Sequence, residues 1–400
     1  MPVRPWMALV AVLVAVLVAA GSPAEAATKK KRRLAQLERA TVAVIGDFGT
    51  ADARSERVAN LVKSWSPDSV VTVGDNYYET AGGTGTDRYD SAVGRFYCPF
   101  LGGVAPGEWC DGAQTEVNRL WPATGNHDYQ EAGIDNYLAY FDLPSNERYY
   151  DVVIGPLHVF VIDSQRARNV ERSPQRAWLK SALAGSASSW KAVVLHHPPY
   201  SSGPSGPTKV LRWPFTRWGA DVVMAGHEHF YERLAAEGIP YLISGLGGAN
   251  RYRFEAVDPG SVRRFRADWG ALRLKATATS LKGAFVSVGS GTKDRFSLSR
   301  PVTRPRPFTK RVPERAERGV KTSVKLRWAP SAGGYSYEYC VDATLNGGCG
   351  KGWQNVGPRL HAKASGLKRG KRYEWQVRAL NSAGSRLANH GSWWRFATRR

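Results

Sequence analysis

Short apolar runs that stop at acidic or imidazole side chains set the limits on what this chain can become. Thr41-Val42-Ala43-Val44-Ile45 gives way to Gly46-Asp47-Phe48-Gly49, and Ser69-Val70-Val71-Thr72-Val73 to Gly74-Asp75-Asn76-Tyr77-Tyr78. Later, Ala192-Val193-Val194-Leu195 ends at His196-His197, and Asp221-Val222-Val223-Met224-Ala225 at Gly226-His227-Glu228-His229. Runs this short and this rich in β-branched residues read as buried strands. Between the first two, Val58, Leu61, Val62 and Trp65 recur at helical spacing, which makes the segment a β-α-β unit. A side chain just past the carboxyl end of such a strand faces the crevice where open α/β sheets bind ligands. One histidine there is commonly a hydrogen-bonded loop residue. Several imidazoles and carboxylates delivered to one edge suggest a metal.

The rest of the first 300 residues fits that frame. Leu120 to Thr124 leads to Gly125-Asn126-His127-Asp128, and Leu157 to Ile162 reads as a strand ending at Asp163. Ser173-Pro174 has the cap and first-position signals of a helix start. Pro240 to Gly245 and two segments between Ala271 and Leu298 read as further strands. Residues 81–118, rich in Gly and polar residues, read as a long excursion over the site. Strands alternating with helices, then strands alone, predict a layered α/β sandwich rather than a barrel.

Composition matters at the two ends. Arg4, the apolar run Met7 to Ala20 and Ala24-Glu25-Ala26 form a signal-peptide pattern over residues 1–26, and the run is short for a membrane span. An exported, soluble mature chain is expected, secreted or in the cell envelope. Four cysteines fall as two local pairs, Cys98/Cys110 and Cys340/Cys349, a spacing that favours those two disulfides. The net charge of +22 is uneven: residues 301–400 carry 21 Lys/Arg against 5 Asp/Glu, and residues 27–40 carry 6 against 1. Residues 41–300 are therefore nearly balanced, and the basic character concerns partners rather than chemistry. Residues 301–313, rich in Pro and Arg, read as a linker. Beyond it, Val324–Trp328, Tyr335–Val341, Tyr373–Leu380 and Ser392–Thr398 alternate apolar with polar residues and predict a small β-sandwich over 314–398.

Taken in order, Asp47, Asp75, Tyr78, Asn126, His127, His196, His227 and His229 resemble the calcineurin-like metallophosphoesterases, and within them the purple acid phosphatases, over roughly residues 41–300. Gly49 stands where the wider superfamily has a histidine, and Tyr78, three residues after the second aspartate, stands where purple acid phosphatases recover a ligand. The resemblance implies a layered α/β/β/α fold. It implies one metal held by Asp47, Asp75, Tyr78 and His229, and another by Asp75, Asn126, His196 and His227. Two carboxylates and a phenolate suit Fe(III), while imidazoles and an amide suit a divalent ion such as Fe, Zn or Mn. The implied reaction is phosphate-monoester hydrolysis by a metal-bound hydroxide, with His127 catalytic at the phosphoryl group or the leaving oxygen. His197 fits a catalytic or a loop role equally. Ser205 and Gly206 occupy the positions where family members carry a further histidine, which leaves the general acid open. Asp128 and Glu228 are expected to support neighbouring ligands or face solvent, and Asp163 to be structural.

Val324 to Trp328, with Leu367 to Tyr373 and Val377 to Asn381, resembles a fibronectin type III domain, with Trp328, Tyr373 and Trp375 in its core or corner. Such modules bind or space rather than catalyse. The expected partners are a phosphate ester and, through the basic C-terminal domain, an anionic envelope polymer. The other readings are a phosphodiesterase or nucleotidase using the same site, and a polyanion-binding protein whose enzyme domain is inactive.

Overall fold

The computed structural model describes residues 39–110, 115–130, 133–167, 173–301, 303–381 and 383–400. The signal-peptide pattern and most of the basic N-terminal segment lie outside them. Among the described residues no helix is long and apolar enough to cross a membrane.

The strands of the first 300 residues are β1 (Arg39–Ile45), β2 (Ser69–Thr72), β3 (Leu120–Pro122), β4 (Tyr150–Ile154), β5 (Leu157–Val161), β6 (Trp190–Val194), β7 (Val222–Ala225), β8 (Tyr231–Ala236), β9 (Ile239–Ser244), β10 (Ser261–Phe265), β11 (Gly270–Thr277), β12 (Ser280–Ser287) and β13 (Gly291–Ser299). They form two mixed sheets, ordered β13-β12-β11-β1-β2-β3 and β10-β8-β9-β7-β6-β5-β4. In the first, β1, β2 and β3 are mutually parallel; in the second, β5, β6, β7 and β9 are.

Burial shows why the second sheet's strands lack polar alternation. On β5 and β6, Val159, Val161, Ala192 and Val194 belong to the core shared with the first sheet. Their neighbours Phe160, Val193 and, just past each strand, Ile162 and Leu195 belong to a separate core. That outer core is closed by Leu179 and Leu183 of helix α2 (Pro174–Gly185). Successive side chains of a strand point to opposite faces, so a strand between two apolar layers needs apolar residues at every position. Helix α1 (Ala53–Ser64) buries Val58, Ala59 and Val62 beside the first sheet, capped by the Asp52 carboxylate. The arrangement is an α/β layered sandwich.

Three details differ from the sequence reading. Between Gly270 and Ser299 there are three strands, not two, because two tight turns divide the segment. β4, β8 and β10 were not foreseen; β10 is largely exposed and carries Arg263 and Arg264, so it lacks an apolar signature. The described part of the 81–118 excursion is packed into the fold. Its short helical turns bury Tyr89, Phe96 and Tyr97 in the main core, and Cys98–Cys110 closes the segment.

After Arg300 the chain forms strands and, among the described residues, no α-helix. β14 (Lys310–Val312), β16 (Val324–Trp328) and β19 (His361–Ala364) make one sheet. β15 (Glu317–Val320), β17 (Ser336–Asp342), β18 (Gln354–Gly357), β20 (Arg372–Asn381) and β22 (Trp394–Thr398) make the other, with β21 (Gly384–Leu387) beside β20. Leu326, Trp328, Tyr337, Trp375 and Val377 fill the core between them. Part of the segment read as linker belongs to this unit: Lys310–Val312 pairs with β16, and Phe308 enters the core. The second cysteine pair is the disulfide Cys340–Cys349. The unit touches the first 300 residues at Ala187–Ser189, where Gly333 N–H donates to the Ala187 carbonyl at 3.2 Å and Ser189 Oγ meets Tyr335 Oη at 2.9 Å. Those residues precede β6, so the contact is at the amino ends of the parallel strands.

Candidate metal centre

The carboxyl ends of β1, β2 and β3 converge on those of β6 and β7, and the loops leaving them carry all eight candidate residues. Asp47, Asp75 and His196 each bring one ligand atom within 4.8 Å of the others, as do His196, His197 and His227.

The first group surrounds Tyr78. Its phenol oxygen lies 3.0 Å from Asp75 Oδ2, 3.4 Å from Asp47 Oδ1 and 3.1 Å from His229 Nε2. His229 Nε2 is 3.4 Å from Asp47 Oδ1. The second group surrounds Asn126 Oδ1, which lies 3.0 Å from His196 Nε2 and 2.9 Å from His227 Nδ1. His196 Nε2 is also 3.3 Å from Asp75 Oδ1. Asp75 thus presents one oxygen to each group.

The histidine tautomers are set from behind. His196 Nδ1–H donates to the Val73 carbonyl at 2.8 Å and His229 Nδ1–H to the Asn250 carbonyl at 2.6 Å. Each ring, when neutral, then points an Nε2 lone pair at acceptor-only oxygens, His196 at those of Asn126 and Asp75 and His229 at that of Asp47. Acceptors facing acceptors in a buried cleft need a proton or a cation between them. Asp47 and Asp75 are fully buried, and burying two carboxylates so close together is costly unless positive charge accompanies them. The donor set therefore fits a metal pair.

The ionisations carry the same message. Burial alone would raise the Asp75 pKa, but His196 and His127 hold it well below the usual carboxylate range. Burial, then Asp75 and Asp47, push the Tyr78 phenol well above its ordinary value. Burial lowers the His196 pKa, yet Asp75 and Asp47 outweigh it and bring it up to about 9. A bound cation would take the place of those protons.

Three of the candidate ligands carry backbone strain. Asp47, Asp75 and His227 adopt φ of 55°, 53° and 70°, a left-handed conformation rare outside glycine. At about 1–3 kcal/mol each, the three are easily carried by layers whose fully buried Val and Leu each contribute about 1.5–3 kcal/mol. Hydrogen bonds hold them: His227 N–H donates to the Asp47 carboxylate at 3.1 Å and His127 N–H to Asp75 Oδ1 at 3.0 Å.

Gly49 has a steric explanation. A Cβ there would sit 2.3 Å from Tyr77 N and 2.4 Å from the Asn76 carbonyl. No side chain, histidine included, fits while the β2 loop takes this path. Gly49→Ala is expected to destabilise the fold by about 1–3 kcal/mol, read as a lowered thermal midpoint, and Gly49→His to leave metal affinity no higher than wild type.

Other residues fall into supporting places. His127 is half-buried; its Nδ1 lies 2.9 Å from Gln130 Oε1, leaving Nε2 for a ligand, and its ring is 4.3 Å from that of Tyr78. His197 is buried, with Nδ1 2.9 Å from Ser164 Oγ and its ring 4.5 Å from His227. Asp163 accepts from the Tyr129 phenol and the Arg166 backbone, a structural role. Glu228 is buried beneath Gly203, where burial pushes its carboxyl up to about 7.

Asp128 is buried rather than solvated and organises two loops. It accepts from Gly125 N–H at 2.7 Å, Asn76 Nδ2 at 3.0 Å and the Tyr89 hydroxyl at 3.2 Å. Asp128→Asn loses an acceptor at a site with four donors, the Asn76 backbone N–H at 3.3 Å being the fourth. Metal affinity should fall about 10- to 100-fold with the fold intact, measured by titration against a competing chelator. Sequence reasoning missed Gln130, Asn250 and Tyr252. The Tyr252 ring stacks on His229 at 3.9 Å and 17°. All three lie in loops whose sequences carry no metal-ligand spacing.

The calcineurin-like phosphoesterase family profile matches residues 40–231. Purple acid phosphatase 15 of Arabidopsis thaliana is 27% identical over 258 residues, 55% of this chain and 47% of that protein. Human tartrate-resistant acid phosphatase type 5 is 24% identical over 295 residues, 66% of this chain and 85% of that protein. The chain spans about half the length of the Arabidopsis relatives it matches. A purple acid phosphatase from yellow lupin (Lupinus luteus) seeds shares the fold, with a TM-score of 0.53 and 18% identity over 66% of this chain and 54% of that one. These likenesses place a calcineurin-like phosphoesterase match over residues 40–231 and a shared fold around it.

Proposed function

We propose that this chain is an exported phosphatase that hydrolyses phosphate monoesters at a two-metal centre, with Asp47, Asp75, Tyr78 and His229 around one ion and Asp75, Asn126, His196 and His227 around the other. The observation that carries the reading is the set of lone pairs turned on one another, His196 Nε2 against Asn126 Oδ1 and Asp75 Oδ1 and His229 Nε2 against Asp47 Oδ1. The phenol and two carboxylates favour Fe(III) in the first position, and the imidazoles with an amide favour a divalent ion in the second. When bound, the ions supply Lewis acidity and a nucleophilic oxygen. The protein's part is to hold them and to place the ester. His127, fixed through Gln130, turns Nε2 to the phosphoryl group or the departing oxygen. Metal analysis of the purified protein, with turnover measured on a panel of monoesters and diesters, tests this. A protein without metal that keeps full turnover, or one that cleaves only diesters, would overturn it.

Two disulfides agree with an oxidising compartment and so with export. The C-terminal unit is proposed to be fibronectin type III-like. Tyr373, one residue into β20, accepts a hydrogen bond from Lys368 N–H at 2.8 Å, the tyrosine-corner arrangement of such sandwiches. Its proposed role is to hold an anionic envelope polymer away from the metal centre. Because its core is separate and its contact lies at the far end of the strands, the chain truncated after Arg300 should keep turnover on a small ester. It should also lose salt-sensitive retention on anionic resin. Equal retention of both forms would end the tethering idea.

A further inference from the structure

The basic C-terminal unit holds a pocket of about 610 Å³ whose chemistry differs from a merely cationic surface. Trp393, Asn346, Glu374, Arg315 and Arg395 line it. Folding brings Arg315 to Trp393 and Arg395, which lie about eighty residues further along the sequence.

The pocket is built before any ligand arrives. Cys340–Cys349 ties down the loop that carries Asn346, whose Oδ1 accepts from Gly348 N–H at 2.9 Å. Glu374, fully buried, accepts from Gly347 N–H at 2.6 Å and lies 3.7 Å from Arg395 Nε. Arg395 donates to the Leu345 carbonyl at 3.1 Å, while 62% of its side chain stays exposed. Trp393 rests against Trp353, with ring centroids 6.1 Å apart. Trp353 is covered by the Arg378 guanidinium at 4.4 Å, and Arg378 is itself paired to Glu338 at 2.6 Å. Groups fixed in this way lose little freedom on binding. Ala316 and Arg395 also line an adjoining cleft of about 720 Å³ that contains Arg318, Arg372, Arg399 and Arg400.

We propose that these adjoining clefts bind an anionic polysaccharide, with one sugar ring against Trp393 and charged substituents on Arg395 and the arginine cleft. An aromatic face accepts the apolar face of a sugar ring. An amide and a carboxylate accept hydroxyl protons, and guanidinium groups take carboxylate, sulfate or phosphate. A nucleic acid carries a phosphate at every residue, which would bring charge against Glu374 and Glu317. A charged polysaccharide places neutral hydroxyls between its charges. The inference rests on the polymer-holding role proposed for this unit and gives that role an occupant.

Calorimetry on the full chain tests it, at physiological salt. The probes are a short oligogalacturonate, its methyl-esterified neutral form, single-stranded DNA of matching charge and inorganic polyphosphate. The oligogalacturonate should bind tightest. Trp393→Ala, Arg395→Ala and Arg315→Gln should each weaken it roughly tenfold or more, with turnover of a small phosphate ester unchanged. Trp393→Phe, which keeps a ring, should lose less. Arg315 is exposed, so its replacement tests the pocket even where the tryptophan variant fails to fold. If wild type binds none of the probes, the polymer-holding role fails and takes this site with it. If wild type binds DNA or polyphosphate as tightly as the oligosaccharide, or if the substitutions leave binding unchanged, this site alone is wrong.

Discussion

His196→Ala is expected to cut phosphate-ester turnover by roughly three orders of magnitude or more, about 4 kcal/mol of transition-state stabilisation, together with loss of metal from the second position. His196 makes two contacts that no other residue replaces: Nε2 meets Asn126 and Asp75, and Nδ1–H anchors to the Val73 carbonyl. Because His196 is fully buried, its removal leaves a hole, so His227→Ala is the companion. His227 is half-buried, and its loss should remove the same activity at smaller cost to the fold. Metal content by elemental analysis, circular dichroism and turnover should be measured on one preparation. Folded variants with wild-type turnover, or wild-type turnover after metal is stripped, would sink the proposed chemistry.

Tyr78→Phe is expected to abolish visible absorption of the iron-loaded protein while the fold survives. The phenol is buried beside Asp75 and Asp47, which push its pKa well above the ordinary value. Its proton therefore stays on at any ordinary pH unless a highly charged cation displaces it. The band should be absent from metal-free protein, appear on loading with Fe(III), and be missing from Tyr78→Phe under the same loading. Phenylalanine keeps the ring that packs 4.3 Å from His127, so packing is spared. A colourless iron-loaded wild type, or a coloured Tyr78→Phe, would show that the phenol holds no iron.

The buried strands were legible because each is short and mostly apolar on both faces, as layers on both sides require. β1, β5, β6, β7 and β9 were found within one or two residues of their ends. β10 escaped because an exposed edge with two arginines has no apolar signature, and β14 because a Pro/Arg-rich segment resembles a linker. The candidate residues were legible for another reason: an Asp or His that follows a buried strand directly is placed by the strand itself. His127 was found by its position after Asn126, but Gln130, which orients it, carries no such mark.

Alone, the sequence determined the layered class, the local disulfide pairs and the residues delivered to the carboxyl edge. Those are consequences of periodicity and of short loops, which leave a side chain few places to go. Tertiary structure decided what depends on contacts between distant segments. It turned Asp75 toward both groups and buried Asp128 under four donors. It filled the space beside Gly49 with the backbone of residues 76–77 and stacked Tyr252 on His229. It also gathered Trp393, Asn346, Glu374 and two arginines into one pocket. Trp393 and Arg395 are near neighbours in the chain, but Arg315, Asn346 and Glu374 reach them only through the fold, Glu374 by strand pairing and Asn346 on a disulfide-closed loop.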